Sequence, residues 1–381
     1  MEKICFITTI PGTIDAFILE TAKYIHNETD WDISFICDED DNFLNRLPEY
    51  IHYFPIKMRR GISLSGVSAL YNMIHIFKKE KFDMVQYCTP NASLYAAIAS
   101  KIAKIPVRLY CQWGLVYVGF SGIKRKIFKS IEKFVCKLST WVEPDSFGNL
   151  DFAHRERLYP ANKGSVVWNG SASGVNLEKF NIAKKKEWHE EIREKYNLPE
   201  DAFVYIFIGR ITGDKGINEL FSAFRDVAKQ THNTYLLLVG SSEKTDSVDN
   251  ELYNWAKNND KVIFCGRTNM VEKYLAASNC YILPSYREGF GLAVIEAEAM
   301  GVPVIVTDIP GPTDAMIDNK TGIVVARKDI ISLKSVMLKL YNEPSLCEEF
   351  GNNGSKYVAE RFEQKTLFKY ILEDRKNLIG K

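Results

Sequence analysis

The chain alternates short apolar runs with longer stretches in which apolar residues recur every three or four positions. Such alternation predicts buried strands joined by helices, and therefore parallel sheets covered on both faces. In the N-terminal half it predicts helices such as Ile14 to His26 and Ser93 to Ala103. The predicted strands there are Ile4 to Thr9, Ile33 to Cys37, Met84 to Cys88, Val107 to Cys111 and Val166 to Trp168.

The pattern breaks from Asn176 to about Pro199, where a polar, Lys-rich stretch predicts a linker. Beyond it the alternation restarts, with strands predicted at Val204 to Gly209, Tyr235 to Gly240, Val262 to Gly266, Tyr281 to Pro284, Val304 to Thr307 and Ile323 to Ala326. The predicted fold class is α/β, with two doubly wound, Rossmann-like domains and a ligand cleft between them. We place the domains at residues 1–180 and 181–361, with an amphipathic C-terminal helix at 362–381 that crosses back to the first domain.

Composition narrows the class of protein. With 381 residues the chain exceeds the size of a single core, which agrees with two domains. A net charge of +1 argues against bulk binding of nucleic acid. The eight cysteines include no C-x-x-C pair, the N-terminus lacks a signal-peptide pattern, and no run approaches 18 apolar residues. We therefore expect a cytoplasmic protein with reduced thiols.

A glycine-containing loop follows the strand predicted to end near Pro284, and a helix is predicted from about Leu292. Backbone N–H groups at such a helix start, together with the helix dipole, favour a diphosphate. Gly289 and Gly291 let the backbone approach it closely. Glu288 and Glu296 flank this anion site and suit sugar hydroxyl groups as acceptors, although both could instead be surface residues of the helix.

A second candidate segment runs from Gly209 to Gly216, directly after another predicted strand. Arg210 can hold phosphate through two hydrogen bonds and Lys215 adds a compact positive charge, so this pair can stabilise a departing nucleoside diphosphate in place of a metal ion. Alone, such a loop is more often a solvated turn. Because both segments follow strands of one predicted sheet, we expect them at the same ligand-binding edge.

Other motifs are weaker. Gly12 lies in the Thr8 to Thr13 turn after the first strand, which either approaches the donor or is only a tight turn. Two D-x-D triplets occur, Asp30 to Asp32 and Asp38 to Asp40, but both flank predicted strands, and no metal site is predicted. A basic amphipathic helix is predicted from Gly122 to Lys137. It either lies on an anionic membrane surface or is an ordinary helix with a solvated face.

Taken together, these residues resemble the GT-B, family-4 retaining glycosyltransferases, particularly those of bacterial capsule and O-antigen synthesis. The resemblance spans nearly the whole chain. It depends on the E-x7-E signature from Glu288 to Glu296, on Arg210 with Lys215, and on the segment from Trp168 to Phe180 at the domain junction.

The resemblance implies a nucleotide sugar, UDP- or GDP-linked, as the donor and a glycan or lipid-linked glycan as the acceptor. It implies retention of anomeric configuration and no metal or other cofactor. The enzyme would then be cytoplasmic, at the inner face of the membrane where the acceptor is lipid-linked.

The resemblance also implies roles for single residues. Glu288 would touch the donor sugar, Glu296 would bind the ribose, and Arg210 and Lys215 would hold the diphosphate. Backbone amides around Gly289, Phe290, Gly291 and Leu292 would assist, and Gly266 with Arg267 would lie near the base. One departure stands out, because Trp113 occupies the position at which many relatives carry His.

Two other functions fit the same fold. One is a nucleotide-sugar epimerase, and the other is a non-catalytic subunit that supports a partner transferase. The intact set of Arg210, Lys215, Glu288 and Glu296 argues against the non-catalytic subunit.

Overall fold

The structure, a computed structural model, describes residues 1–58, 65–242 and 247–380. It divides the chain into two compact units. The first comprises Met1–Ser173 and Lys365–Lys381, and the second comprises Gly174–Gln364. The corresponding domain boundaries predicted from the sequence lie after residues 180 and 361, and these positions stay predictions.

The first unit is built on a six-stranded sheet in which every strand pairs in parallel with its neighbours. The spatial order is β3-β2-β1-β4-β5-β6, so the direction of winding reverses between β1 and β4. The strands are β1 (Lys3–Ile7), β2 (Asp32–Cys37), β3 (Ile51–Pro55), β4 (Met84–Tyr87), β5 (Val107–Gln112) and β6 (Trp141–Pro144).

The second unit repeats this plan. Its order is β12-β11-β10-β7-β8-β9, again all parallel, and the winding reverses between β7 and β10. The strands are β7 (Phe203–Ile208), β8 (Thr234–Val239), β9 (Val262–Gly266), β10 (Cys280–Leu283), β11 (Val304–Thr307) and β12 (Gly322–Val325).

Helices cover both sheets, and among the described residues none is both long enough and apolar enough to span a membrane. The first unit contains α1 (Pro11–Phe17), α2 (Leu19–Glu28), α3 (Asp41–Leu44), α4 (Ser65–Glu80), α5 (Pro90–Ile102), α6 (Gly122–Leu138), α7 (Phe147–Arg155) and α15 (Gln364–Ile379). The second contains α8 (Lys185–Lys195), α9 (Ile217–Gln230), α10 (Asn250–Lys257), α11 (Val271–Ala276), α12 (Leu292–Ala299), α13 (Ile330–Asn342) and α14 (Pro344–Arg361).

The α/β fold class is confirmed, and all six strands predicted in the second unit are present within one residue at each end. In the first unit the prediction of a strand at Val166 to Trp168 is wrong. Trp168 has a left-handed backbone (φ +50°), and the Gly170 N–H donates to the Val167 carbonyl at 2.9 Å, so this segment is a turn. The predicted helix from Ile14 to His26 is interrupted at Ile18, and β3 and β6 were missed.

The predicted linker is also wrong in part, because its centre is helix α8. Trp188 and Ile192 lie on one face of this helix and are buried in the core of the second unit. Arg193 is buried as well, and its guanidinium donates to the carbonyl groups of Pro199, Glu200 and Ala202. The many lysines of this stretch obscured the four-residue spacing of Trp188 and Ile192, which is typical of one face of a helix.

The C-terminal helix α15 belongs to the first unit. Leu372 and Leu378 pack in the same buried cluster as Ile4 of β1 and Leu109 of β5. The predicted helix extended to Lys381, which lies outside the described residues. Packing of this helix on the sheet of the first unit makes the unit discontinuous in sequence.

Candidate active site

The two predicted loops of the second unit come together where the winding of its sheet reverses. Strands β7 and β10 are hydrogen-bonded neighbours, with Cys280 opposite Tyr205 and Tyr281 opposite Ile206. The loops that follow them, residues 209–216 and 284–291, therefore leave the same edge side by side. In open α/β sheets, this reversal point at the carboxyl edge is where ligands bind.

Lys215 and Glu288 meet directly across these loops. The Lys215 ammonium Nζ donates to Glu288 Oε1 at 2.6 Å, and both side chains are largely shielded from solvent. The close approach depends on Gly216, whose backbone is left-handed (φ +73°) and whose missing Cβ would lie 1.9 Å from the Pro284 carbonyl oxygen. Only glycine fits this position without moving one loop away from the other.

Asp214 organises the positive charges of the site. One carboxylate oxygen, Oδ2, lies 2.8 Å from Arg287 Nη2 and 3.9 Å from Arg210 Nη2, while Oδ1 accepts from the Thr212 hydroxyl at 2.5 Å. Burial raises the pKa of Asp214, but the Thr212 hydrogen bond and these cations outweigh burial and lower the pKa below its usual value. Asp214 is therefore ionised and orients Arg210 and Arg287 at neutral pH.

The start of α12 has the geometry of an anion site. Gly291 precedes Leu292 with a left-handed backbone (φ +92°), and the Val294 N–H closes the first turn on the Gly291 carbonyl at 2.8 Å. Gly311 backs this loop, since a Cβ there would lie 2.2 Å from the Gly289 carbonyl oxygen. Phe290 is 2% exposed and its ring packs against Phe362, so only its backbone can serve a ligand.

Glu296 is the fifth residue of α12 and lies in its second turn. Burial raises the pKa of Glu296 to about 7, an effect that Lys179 opposes and Glu272 reinforces. Lys179 Nζ is 3.7 Å from Glu272 Oε2. Lys179 therefore lies near two carboxylates, Glu272 and Glu296. The family resemblance assigns the second of these, Glu296, to the ribose.

Gly266 and Arg267 lie at the same carboxyl edge, at the end of the edge strand β9, and both are exposed. The Gly266 carbonyl accepts from the Gly240 N–H at 2.9 Å, which holds the ends of β8 and β9 together. Their contact with a base stays a prediction.

In the first unit, Gly12 is exposed near the start of α1, and a Cβ there would meet nothing within 4 Å. Trp113 follows β5 and packs half-buried against Phe17, with ring centroids 5.6 Å apart. This contact gives Trp113 a packing role in the first unit.

The acidic triplets have local structural partners. Asp40 caps α3 by accepting from the Phe43 N–H at 2.8 Å, and Asp32 lies 3.6 Å from Lys3 Nζ. Throughout the described ranges, no three His, Cys, Asp or Glu side chains are grouped as metal ligands.

Sequence reasoning missed the residues that position the predicted ones. Asp214 and Arg287 sit inside the two motifs and were passed over as loop residues, although an acidic residue between two cations is a signal for an ion-pair network. Lys179 lies in the junction segment from Trp168 to Phe180, and no role of its own was predicted for it. Its proximity to the α12 carboxylate depends on folding across more than a hundred residues, which no local pattern reveals.

Comparison with known proteins shows which family this chain belongs to. Residues 3–143 match the family described as Glycosyl transferase 4-like, and residues 189–357 match Glycosyl transferases group 1. The chain is 33% identical to the capsular polysaccharide biosynthesis glycosyltransferase CapM of Staphylococcus aureus, over 85% of this chain and 84% of that protein. It is 26% identical to the UDP-Gal:alpha-D-GlcNAc-diphosphoundecaprenol alpha-1,3-galactosyltransferase of Escherichia coli, over 90% and 89%.

Among solved structures, the sucrose-phosphate synthase of Thermosynechococcus elongatus superposes with a TM-score of 0.81 at 19% identity, covering 100% of both chains. At that identity the likeness shows the fold alone. The fold is GT-B, and the protein is a glycosyl-transferring enzyme. The chain belongs to the group 1, family-4-like glycosyltransferases.

Proposed function

We propose that this glycosyltransferase moves a sugar from a UDP- or GDP-linked donor to a lipid-linked glycan in surface polysaccharide synthesis, with retention and without a metal. One observation carries the proposal: Arg210, Lys215 and Glu288 converge beside the start of α12, where a diphosphate and its sugar can be held together. CapM and the galactosyltransferase of Escherichia coli, by their names, act in capsule synthesis and on a diphosphoundecaprenol acceptor, which supports the acceptor class.

Product analysis tests this function. Purified protein is incubated with each nucleotide sugar, with and without a diphosphoundecaprenol-linked glycan. Release of nucleoside diphosphate that requires the acceptor supports transfer. An epimerised sugar formed without acceptor, either still nucleotide-linked or set free by water together with nucleoside diphosphate, indicates an epimerase. Neither release nor an epimerised product indicates a non-catalytic subunit. Thermal shift selects the donor beforehand, because a ligand at 100 times its Kd stabilises by about 2.7 kcal/mol.

Transfer should survive chelation. Arg210 and Lys215 supply the charge that a divalent ion would otherwise place on the diphosphate, so we expect kcat in EDTA to stay within about twofold of its value in magnesium. Loss of transfer in EDTA, with recovery on adding magnesium or manganese, would contradict metal independence.

Replacing Glu296 with Ala should weaken the donor and spare turnover. The ribose does not change in the reaction, so its hydrogen bonds stabilise ground and transition states alike. We expect donor KM and the Kd of the nucleoside diphosphate to rise about tenfold, which corresponds to about 1.4 kcal/mol.

A pH series gives a matched control. Because burial raises the pKa of Glu296 to about 7, we expect this carboxyl to gain its negative charge as the pH rises through 7. As an acceptor for ribose hydroxyl groups it should bind better when ionised, so nucleotide affinity should increase over this range. The step should vanish in Glu296→Gln, and a step of equal size in that variant would contradict the ribose assignment.

We also propose contact with the inner face of the membrane through α6. The apolar stripe of this helix points away from the sheet, with Ile123 77%, Ile127 52% and Phe134 44% exposed. An outward apolar stripe on a Lys-rich helix suits a membrane interface. Changing Ile127 and Phe134 to Asp should abolish sedimentation with phosphatidylglycerol vesicles at low salt. A wild type that never sediments with them would end the proposal.

A further inference from the structure

A basic recess adjoins α6 in the first unit. It has a volume of about 680 Å³ and is formed by the last turns of α6, the end of α7 and the segment leading to residue 163. Basic side chains come from all three: Lys133 and Lys137 from α6, His154 and Arg157 from the end of α7 and just after it, and Lys163 from the following segment. Apolar side chains, Leu158 and Tyr159 among them, complete the lining, and no acidic residue takes part.

The positive charge of the recess is not compensated. Within the described part of the chain, Lys133, Lys137, Arg157 and Lys163 have no carboxylate within ion-pair distance, although the whole protein is nearly neutral. Burial lowers the pKa of Lys163; Cys136 opposes this effect, and the cations Arg108 and Lys101 reinforce it. Because the lining contains four Lys and Arg side chains and no carboxylate, the recess has a positive potential that favours an anion.

The position of the recess separates it from the reaction. Helix α6 leads into β6 and α7 leads back from it, so Lys137 and Arg157 both lie at the amino end of that strand. The bridge between Val142 and Gly164 fixes the segment after Lys163 along the same strand. Donor and acceptor chemistry takes place at the carboxyl edges of such sheets. An anion in the recess is therefore neither the donor diphosphate nor the group that receives the sugar.

The outward stripe of α6 identifies the source of the anion. Lys133 precedes Phe134 in the sequence, and Lys133 and Lys137 lie on the flank of the exposed apolar face formed by Ile127 and Phe134. When that face lies on a bilayer, the recess opens at the level at which phosphate groups lie. A peptide or nucleic acid would match the charge but would leave the adjoining apolar stripe uncovered.

We infer that the recess bounded by Lys133, Lys137, Arg157 and Lys163 binds the phosphate headgroup of a single anionic membrane lipid while the α6 stripe enters the interface. The inference rests on the membrane contact proposed above. It adds a discrete, saturable site to that contact. Bidentate hydrogen bonds from Arg157 and point charges from the lysines are the groups that recognise phosphate.

Two double variants of equal charge change test the site. Lys133→Gln with Arg157→Gln removes two recess cations, and Lys78→Gln with Lys79→Gln removes two exposed cations at the end of α4. Each recess cation should contribute roughly fivefold, so affinity for vesicles of equal parts phosphatidylglycerol and phosphatidylcholine should fall about 25-fold in the recess variant. The control should stay within about twofold of wild type.

Short-chain phosphatidylglycerol below its micelle concentration tests saturation by calorimetry. The wild-type protein should bind this lipid at a single site, and excess glycerol phosphate should displace the lipid. The recess variant should not bind the lipid. Equal vesicle losses in both double variants, or no saturable binding by wild type, would overturn the lipid site in favour of diffuse attraction. Glycosyl transfer to a water-soluble acceptor should be unchanged in the recess variant. This assay therefore distinguishes a failure of the proposed transfer activity from a failure of the lipid site.

Discussion

Glu288→Gln should lower kcat by about 100-fold or more and leave the affinity for nucleoside diphosphate close to wild type. The reason is the position proposed for the carboxylate, beside the transferred sugar, which develops positive charge as its bond to the diphosphate breaks. A negative charge that is already oriented stabilises this state and little else. Steady-state kinetics with donor and acceptor, together with calorimetry of the diphosphate, measure both quantities.

The ion pair with Lys215 explains why an amide cannot replace this carboxylate. Lys215 Nζ lies 2.6 Å from Glu288 Oε1, so each side chain fixes the other before the donor arrives. The ammonium has three N–H donors, so we expect it to contact a bound diphosphate while it still orients Glu288 toward the sugar. Gln keeps the shape and an acceptor oxygen, but it supplies no charge to the transition state.

Glu219→Gln is a matched control for this prediction. Glu219 lies on α9, accepts a hydrogen bond from the Tyr286 hydroxyl of the same loop, and was assigned no role in transfer. We expect its kcat to remain within about threefold of wild type, since a structural hydrogen bond is worth about 1 kcal/mol or less here. If Glu288→Gln turns over normally and Glu296→Ala binds the diphosphate normally, the loop before α12 has only a structural role.

The site was more predictable than the network that supports it. Strand, glycine loop and helix start are local features, so the loop before α12 and the Arg210 to Lys215 segment could be found in the sequence. Asp214 was missed because its role in orienting the site depends on an ion pair with Arg287. These two residues are 73 positions apart in the sequence but 2.8 Å apart in the fold. Local patterns indicate the groups expected to contact a ligand, whereas packing identifies the groups that orient them.

Strand β6 shows the same limit in the fold. Its sequence, Trp141 to Pro144, contains a glutamate and a proline, which together argue against a buried strand. Glu143 is nevertheless buried because its partner, Arg375, reaches it from α15, 232 residues further along the chain. The sequence of β6 does not indicate Arg375, and the sequence of α15 does not indicate Glu143. Neither the strand nor the buried ion pair could therefore be predicted from the sequence.

Arg375→Met should destabilise the first unit by about 3–5 kcal/mol, the cost of leaving a buried carboxylate without its partner. Arg375 is 1% exposed and holds both carboxylate oxygens of Glu143, one of them at 2.8 Å from Nη2, while Nε donates to Gln86 at 3.0 Å. Because α15 contributes this guanidinium, its loss should also loosen the helix. Chemical denaturation and amide hydrogen exchange in α15 measure the two effects.

The double variant Glu143→Leu with Arg375→Met separates the pair from the packing. Removing both charges together avoids the unpaired carboxylate, so most of the lost stability should return. A residual cost of about 1 kcal/mol is expected because Gln86 keeps a buried amide oxygen without its Arg375 donor. If the double variant is instead as unstable as the sum of the single variants, the ion pair is not the contact that holds α15. The apolar contacts of Leu372 and Leu378 would then account for its attachment to the first unit.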